Sequence, residues 1–383
     1  MLTAARNKWR SVSDLTGRAT TVLLLVAWLL MSCQATPVLT RTASPPISSQ
    51  TPRTVNPLPA SPAPATAPVT VKEQAVRQIS LTGPAAKPEA ELSGLAWFGD
   101  WLILLPQYPS RFGEGPDGAV FALAKRDILD YLQGRRTEPL EPILVPFQSG
   151  GMEREIRGFE GYEAIAFTGN SAYLTIESRP GLHMLGTLVQ GEIAPDLSAL
   201  RLNPAERAEI APQANIPNMA DETVFIHNEK VFSLYEANGV KVNPDPAAHV
   251  FNLALEPLGT IPFPNIEYRI TDATQPDSEG YFWAIDYFYP GDIQLKPSDD
   301  PLADRFGRGE TGSLYPQVER LVEFRITGDA IVLTESPPIL LELAGADLAR
   351  NWEGIARLDD LGFLLATDKF PETILAFVKG PGR

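Results

Sequence analysis

Between residues 93 and 368, short apolar runs alternate with polar turns in a pattern that recurs five times. The segments open at Ser93 (SGLAWFGDWLILLPQ), Glu163 (EAIAFTGNSAYLTIE), Glu222 (ETVFIHNEKVFSLYE), Asp272 (DATQPDSEGYFWAID) and Glu353 (EGIARLDDLGFLLATD). A typical segment has a run rich in β-branched and aromatic residues, a turn such as Phe98-Gly99-Asp100 or Thr168-Gly169-Asn170, and a second apolar run such as Tyr173–Ile176. That order is the signature of an antiparallel hairpin. In the first four segments the opening residue lies 14 positions before a second polar residue: Gln107, Glu177, Glu236 or Asp286. In the fifth, Glu353 lies 15 before Asp368, the extra residue falling in the Leu358-Asp359-Asp360 turn. A hairpin returns to where it began, so both polar positions of each segment share one rim.

Self-similarity at spacings of this kind predicts an all-β fold, a five-bladed β-propeller. Further apolar runs supply outer strands, including Ala119–Ala124 and Ile143–Phe147 in the first blade and Arg320–Ile326 in the fourth. The fifth blade runs out of chain after Thr373–Val378, one strand short, whereas Val76–Leu81 precedes the first blade without a partner. That N-terminal strand is expected to pair with the last blade and close the ring, removing exposed edges. Six blades is the alternative, because the 81 residues from Asp272 to Glu353 have room for a degenerate unit. An open β-sandwich is the other.

Residues 1–33 read as an address. Arg6, Lys8, Arg10 and Arg18 precede an apolar run, Val22–Met31, shorter than the roughly 20 residues of a membrane span. The run ends in Leu30-Met31-Ser32-Cys33, which resembles a bacterial lipobox with Cys33 as the acylated residue. Cys33 is the only cysteine, so no disulfide forms within the chain. The expectation is a lipid anchor in the cell envelope, periplasmic or extracellular, with Gln34 favouring the outer membrane; an uncleaved anchor is the alternative. Residues 34–72 hold nine prolines among Ser, Thr and Ala and predict a disordered tether. Residues 73–383 form the propeller.

The chain carries 32 basic and 47 acidic residues, a net charge of −15. Without residues 1–32, which hold four basic residues and one acidic, the count is 28 against 46, or −18. Such a balance argues against nucleic acid as a partner. A monomer is expected.

The first ring, Ser93, Glu163, Glu222, Asp272 and Glu353, gathers four carboxylates at a narrow channel. Calcium is the natural counter-ion, since it takes 6–8 oxygen ligands in flexible geometry; hydrogen bonding to the backbone of neighbouring blades is the alternative. The second ring, Gln107, Glu177, Glu236, Asp286 and Asp368, suits contacts to substrate or water. Loops on the same face bring Arg111, Arg179, Arg305 and Lys369, a set suited to an anionic small molecule or surface ligand. The segment from Tyr287 to Pro316 is long enough to form a lid. Gly-x-Ser-x-Gly, the P-loop and His-Glu-x-x-His are all missing from the sequence.

The motifs Leu92-Ser93-Gly94-Leu95-Ala96, Tyr162-Glu163-Ala164-Ile165-Ala166 and Trp352-Glu353-Gly354-Ile355-Ala356 resemble the phytase-like (esterase-like) propeller family of exported bacterial proteins. So do the strand ends Thr175-Ile176-Glu177-Ser178-Arg179 and Ala366-Thr367-Asp368-Lys369. The order of ring residues is also similar to the five-bladed calcium-activated nucleotidases. In this chain Asp272 replaces their serine, and Gln107-Tyr108-Pro109 replaces their Asp-Asp-Arg-Thr-Gly segment. The resemblance implies a calcium-dependent phosphoester or ester hydrolase, with calcium on Ser93, Glu163, Glu222 and Glu353. Glu177 or Glu236 would then activate water, and Arg111, Arg179 and Arg305 would neutralise the phosphoryl group. The competing expectation is a non-catalytic surface module that binds a glycan, peptide or protein.

Overall fold

The computed structural model describes residues 71–346 and 348–381. The chain divides into two units, Met1–Ala63 and Pro64–Arg383, and all described residues belong to the second. Cys33, the leader and nearly all of the Pro-rich tether lie outside the described residues.

Strand β1 (Val76–Ile79) comes first, followed by five antiparallel blades; the outer strands of the first two pair in parallel at Phe147↔Leu200 and Gln148↔Arg201, which joins those two blades into one eight-stranded sheet. Blade one is β2 (Leu92–Phe98), β3 (Trp101–Pro106), β4 (Ala119–Ala124) and β5 (Ile143–Gln148), with helix α1 (Lys125–Leu132) between β4 and β5. After the short helix α2 (Met152–Glu155), blade two is β6 (Phe159–Thr168), β7 (Ser171–Ser178), β8 (Leu185–Ile193) and β9 (Leu200–Ile210). Blade three is β10 (Asp221–His227), β11 (Lys230–Tyr235), β12 (Ala247–Asn252) and β13 (Pro257–Pro262). Blade four is β14 (Arg269–Ala273), β15 (Tyr281–Phe288), β16 (Val318–Ile326) and β17 (Ile331–Leu333), with helix α3 (Pro301–Phe306) between β15 and β16. A short β18 (Ile339–Leu340) also pairs with β16. Blade five is β19 (Trp352–Leu358), β20 (Gly362–Thr367) and β21 (Leu375–Lys379).

Its fourth strand is β1, which pairs antiparallel with β21 from Val76↔Val378 to Ile79↔Leu375. The five inner strands close a ring: β2 packs on β6, β6 on β10, β10 on β14, β14 on β19 and β19 on β2. The blade count is five, and the N-terminal strand closes it. The segment from Asp272 to Glu353 holds the rest of blade four and a long connection rather than a sixth blade.

One apolar cluster fills each seam. Phe225 and Phe232 of blade three meet Phe282 and Phe324 of blade four, with the Phe225 and Phe282 rings 4.7 Å apart. Trp283 and Phe363 fill the seam between blades four and five, and Ile103 and Leu174 that between one and two. Period-two alternation sends successive side chains to opposite faces of a blade, and each face is covered by a neighbour. Near the axis the inner strands approach closely at two glycines. A Cβ on Gly354 would lie 2.8 Å from Leu95 and one on Gly94 3.3 Å from the Ala164 backbone. Gly94 and Gly354 therefore answer to packing, whereas blade three carries Thr223 at the equivalent position. Among the described residues no helix is long and apolar enough to cross a membrane.

Candidate functional site

A β-bulge marks each first-ring position. The ladder slips between Leu92↔Pro106 and Gly94↔Leu105, leaving Ser93 as the extra residue. Glu163, Glu222 and Glu353 occupy the equivalent slips of blades two, three and five. In blade four, Thr271 and Asp272 stand where the register passes from Ile270↔Asp286 to Ala273↔Ala284. A bulge re-aims a side chain out of the ordinary alternation. It also fixes the 14-residue spacing, because each second-ring residue lies opposite the residue two before its first-ring partner. Glu177 faces Gly161 and Asp286 faces Ile270. The N–H groups of Gln107 and Glu236 donate to Glu91 O (2.8 Å) and Ala220 O (3.0 Å).

The first ring divides by role. Ser93 Oγ donates to Tyr162 O at 2.6 Å, fastening blade one to blade two. Asp272 accepts from the Ile355 N–H at 2.8 Å and from the Ala273 and Leu95 N–H groups, fastening blade four to its neighbour and to blade one. These two are knots between blades. The others line the channel. Glu163 Oε1 accepts from Gln107 Nε2 at 3.1 Å, and Asn351 Nδ2 donates to Glu353 Oε1. Arg269 enters from the start of β14: Nε donates to Glu236, Nη2 to Glu222 at 3.3 Å, and Nη1 to Asn351 at 3.5 Å. Glu236 also accepts from the Ala220 N–H at 3.3 Å.

Burial and mutual repulsion keep protons on this cluster. Desolvation, then the charges of Glu163 and Glu236, push the Glu177 carboxyl up to about 9. Desolvation lifts Glu163 to about 7, against the Gln107 hydrogen bond that favours its ionised form. Glu222 and Glu353 are raised well above the usual carboxylate range, and Asp368 is raised, all chiefly by burial. Glu177 Oε1 is buried without a hydrogen-bond partner. Glu177 thus carries its proton at neutral pH, and the role of base expected for it requires the opposite state. Glu236, the other expected base, is held by Arg269.

Several expected site residues stand elsewhere. Asp286 is buried within blade four, where Arg320 Nε donates to it at 2.7 Å and Arg320 Nη1 also reaches Asp300 at 2.9 Å. The expected anion-binding cations all face carboxylates: Arg111 to Glu91 at 2.7 Å, Arg179 to Glu160 at 3.3 Å, Arg305 to Glu335, and Lys369 to Glu91 at 3.6 Å. Each is thus paired with a carboxylate beside an acidic channel. Tyr287 and Phe306 of the expected lid are 2% and 5% exposed, part of the core rather than a cover.

Arg269 and Asn351 are the residues that sequence reasoning missed. A signal was present: arginine stands three positions before the ring residue in two segments, at Arg269 and Arg350. Only Arg269 enters the channel, since Arg350 donates to Glu319 at 2.8 Å.

Three of the five residues expected to hold calcium already have partners in this arrangement. Ser93 and Asp272 are committed to backbone groups, and Glu222 to a guanidinium. Among the described residues no group of three or more His, Cys, Asp or Glu side chains is arranged to hold a metal ion.

No family model matches the chain. No curated protein matches it either. Solved structures do. One is the catalytic domain of the GH62 α-L-arabinofuranosidase of Coprinopsis cinerea, at 10% identity and TM-score 0.41, covering 79% of this chain and 97% of that one. Another is the β-1,2-mannobiose phosphorylase of Listeria innocua, at 12% identity and TM-score 0.40, covering 80% and 94%. The exo-β-1,3-galactanase of Phanerochaete chrysosporium matches at 7% identity and TM-score 0.42, covering 80% and 64%. These matches are carbohydrate-active enzymes, where the short motifs implied phytase-like propellers or calcium-activated nucleotidases. That resemblance, and the phosphoester hydrolysis drawn from it, is therefore withdrawn. At this distance no activity passes from the matched proteins to this chain.

Proposed function

We propose that the channel mouth is an acid–base site made of carboxyl groups and directed at glycosidic bonds, with Glu177 as proton donor and Glu163 as base. The observation that carries this reading is the pairing itself. Glu163 is the carboxylate acting most strongly on Glu177, and the two hold their protons to about 7 and about 9. Neighbouring carboxyls whose proton affinities are pushed apart supply one acid and one base at neutral pH. An acetal is a bond that two carboxyl groups suffice to cleave. In that step Glu177 gives its proton to the departing glycosidic oxygen as the C–O bond breaks. Glu163 takes a proton from the water whose oxygen forms the new bond to the anomeric carbon. Gln107, bonded to Glu163, fixes the orientation of the base.

A second reading, a non-catalytic binding face, is favoured by burial: Glu163 and Glu177 are only 4% and 3% exposed. A panel of aryl glycosides and polysaccharides separates the two. Turnover that falls about 10²–10⁴-fold in Glu177→Gln, with the fold retained, supports the acid. Sugar binding without turnover of any glycoside supports the binding face.

We also propose that Cys33 is acylated and tethers the propeller to the cell envelope; the support is the apolar run ending at Cys33. Metabolic labelling with a radioactive fatty acid tests it, and label that persists in Cys33→Ser rejects it.

A further inference from the structure

Six carboxyl groups, those of Glu163, Glu177, Glu222, Glu236, Glu353 and Asp368, act on one another around one guanidinium, Arg269, with Lys369 the second cation acting on Asp368. Arg269 pairs with Glu222 and Glu236. The other four make no ion pair among the described residues. Glu353 and Asp368 stand at the half-buried outer end, both hydrogen-bonded by Asn351. Deeper in, Glu177 Oε1 meets no donor although the residue is 3% exposed. The mouth is short of positive charge and of N–H donors together. An ammonium group supplies both, with one charge and three donors.

The rim supplies aromatic rings beside these acids, with Arg111 over one face of Tyr108 at 4.1 Å and Lys369 over one face of Phe370 at 5.6 Å. Tyr108 follows Gln107 directly, and Phe370, 57% exposed, stands two residues after Asp368 and donates its N–H to Asp368 Oδ1 at 2.7 Å. Tyr289 is 51% exposed in the connection from β15 to β16. A pyranose presents an apolar C–H face on one side and polar substituents at its edge. That matches an aromatic ring set against carboxylates better than a peptide does, since the aliphatic side chains exposed on this face, Leu182, Val240 and Ile293, lie further along their loops.

We propose that this mouth selects an amine-bearing glycan, a polymer of cationic hexosamine. The ammonium sits on Glu353 and Asp368 and the sugar ring lies against Phe370. The proposal rests on the glycosidic reading of the same site and narrows its substrate class.

Calorimetric titration of the full-length protein tests binding apart from turnover. The probes are the glucosamine tetrasaccharide, the N-acetylglucosamine tetrasaccharide and a short lysine-containing peptide. The expected result is at least tenfold tighter binding of the glucosamine tetramer, shrinking as salt rises from about 50 to 500 mM. Heats that vary with buffer ionisation should report protons released as the ammonium docks. The preference should vanish in Glu353→Gln/Asp368→Asn. Should that pair misfold by circular dichroism, Phe370→Ala is expected to weaken both sugars. Equal affinity for the two tetramers overturns the proposal, as does capture of the peptide alone or a preference that survives the double substitution. An amine preference without hydrolysis of any glycoside keeps the selection and removes the proposed chemistry. Hydrolysis of neutral glycosides without the preference does the reverse.

Discussion

The Arg269 guanidinium of blade four donates from Nη2 to the Glu222 carboxylate of blade three at 3.3 Å, while its Nε holds Glu236. One cation thus sits among buried acids. Arg269→Gln should destabilise the propeller by about 3–5 kcal/mol, the usual cost of breaking a buried pair from one side. Urea unfolding measures it. Adding Glu236→Gln should recover part of the loss, and a double variant no more stable than the single one would show that the arginine acts by packing alone.

The pH dependence follows from the direction of the shifts. A carboxyl whose proton affinity is raised in the folded state keeps its proton after the unfolded chain has lost its own. Stability is then greatest below about pH 4.5 and declines as pH rises through the folded value, by up to about 1.4 kcal/mol per pH unit for each such group. With Glu163 at about 7 and Glu177 at about 9, the melting temperature should fall between about pH 5 and 9. Glu177→Gln should flatten the upper part of that decline. A melting temperature that rises across this range would falsify the protonated cluster.

Asp272 and Ser93 belong to stability rather than chemistry. Asp272→Ala leaves the Ile355 N–H unpaired at a buried seam, expected to cost about 1–3 kcal/mol, with Asp272→Asn costing less. Amide hydrogen exchange should quicken at Ile355 and Leu95 first. Turnover or ligand affinity should be unchanged in the Asn variant; a large loss there would return Asp272 to the site.

Calcium should have little effect. With two of the five expected ligands bound to backbone and a third to arginine, saturating calcium followed by chelator should move the melting temperature by less than about 2 °C. A larger shift that disappears in Glu353→Gln would show that the mouth assembles a metal site from another set.

The repeat made the architecture legible because the two polar positions of each hairpin are tied by backbone register, and register is written in spacing. The 14-residue interval between Glu163 and Glu177 reports a bulged hairpin, and the 15 between Glu353 and Asp368 reports the longer turn spanning Leu358↔Gly362. What spacing does not encode is what each side chain meets in three dimensions. Asp286 obeys the interval yet is drawn to Arg320, a residue from the next strand of its own blade. Arg269 and Arg350 stand at equivalent places, and only the acidity of blade three and the position of Glu319 decide which enters the channel. The short motifs misled for the same reason: the Gly after Ser93 and after Glu353 answers to close packing near the axis, a demand of the fold that says nothing of the chemistry.

The pairing of β1 with β21 sets a timetable as well as a shape. The first strand of the ring to leave the ribosome finds its partner only when nearly the whole chain has been made. Until then blade five is short of a strand and the edge of β21 is open. Ring closure draws on one of the longest sequence separations in the molecule and is a slow step in folding. Substitutions in Val76–Ile79 should therefore lower yield more than they lower the stability of the molecules that do close.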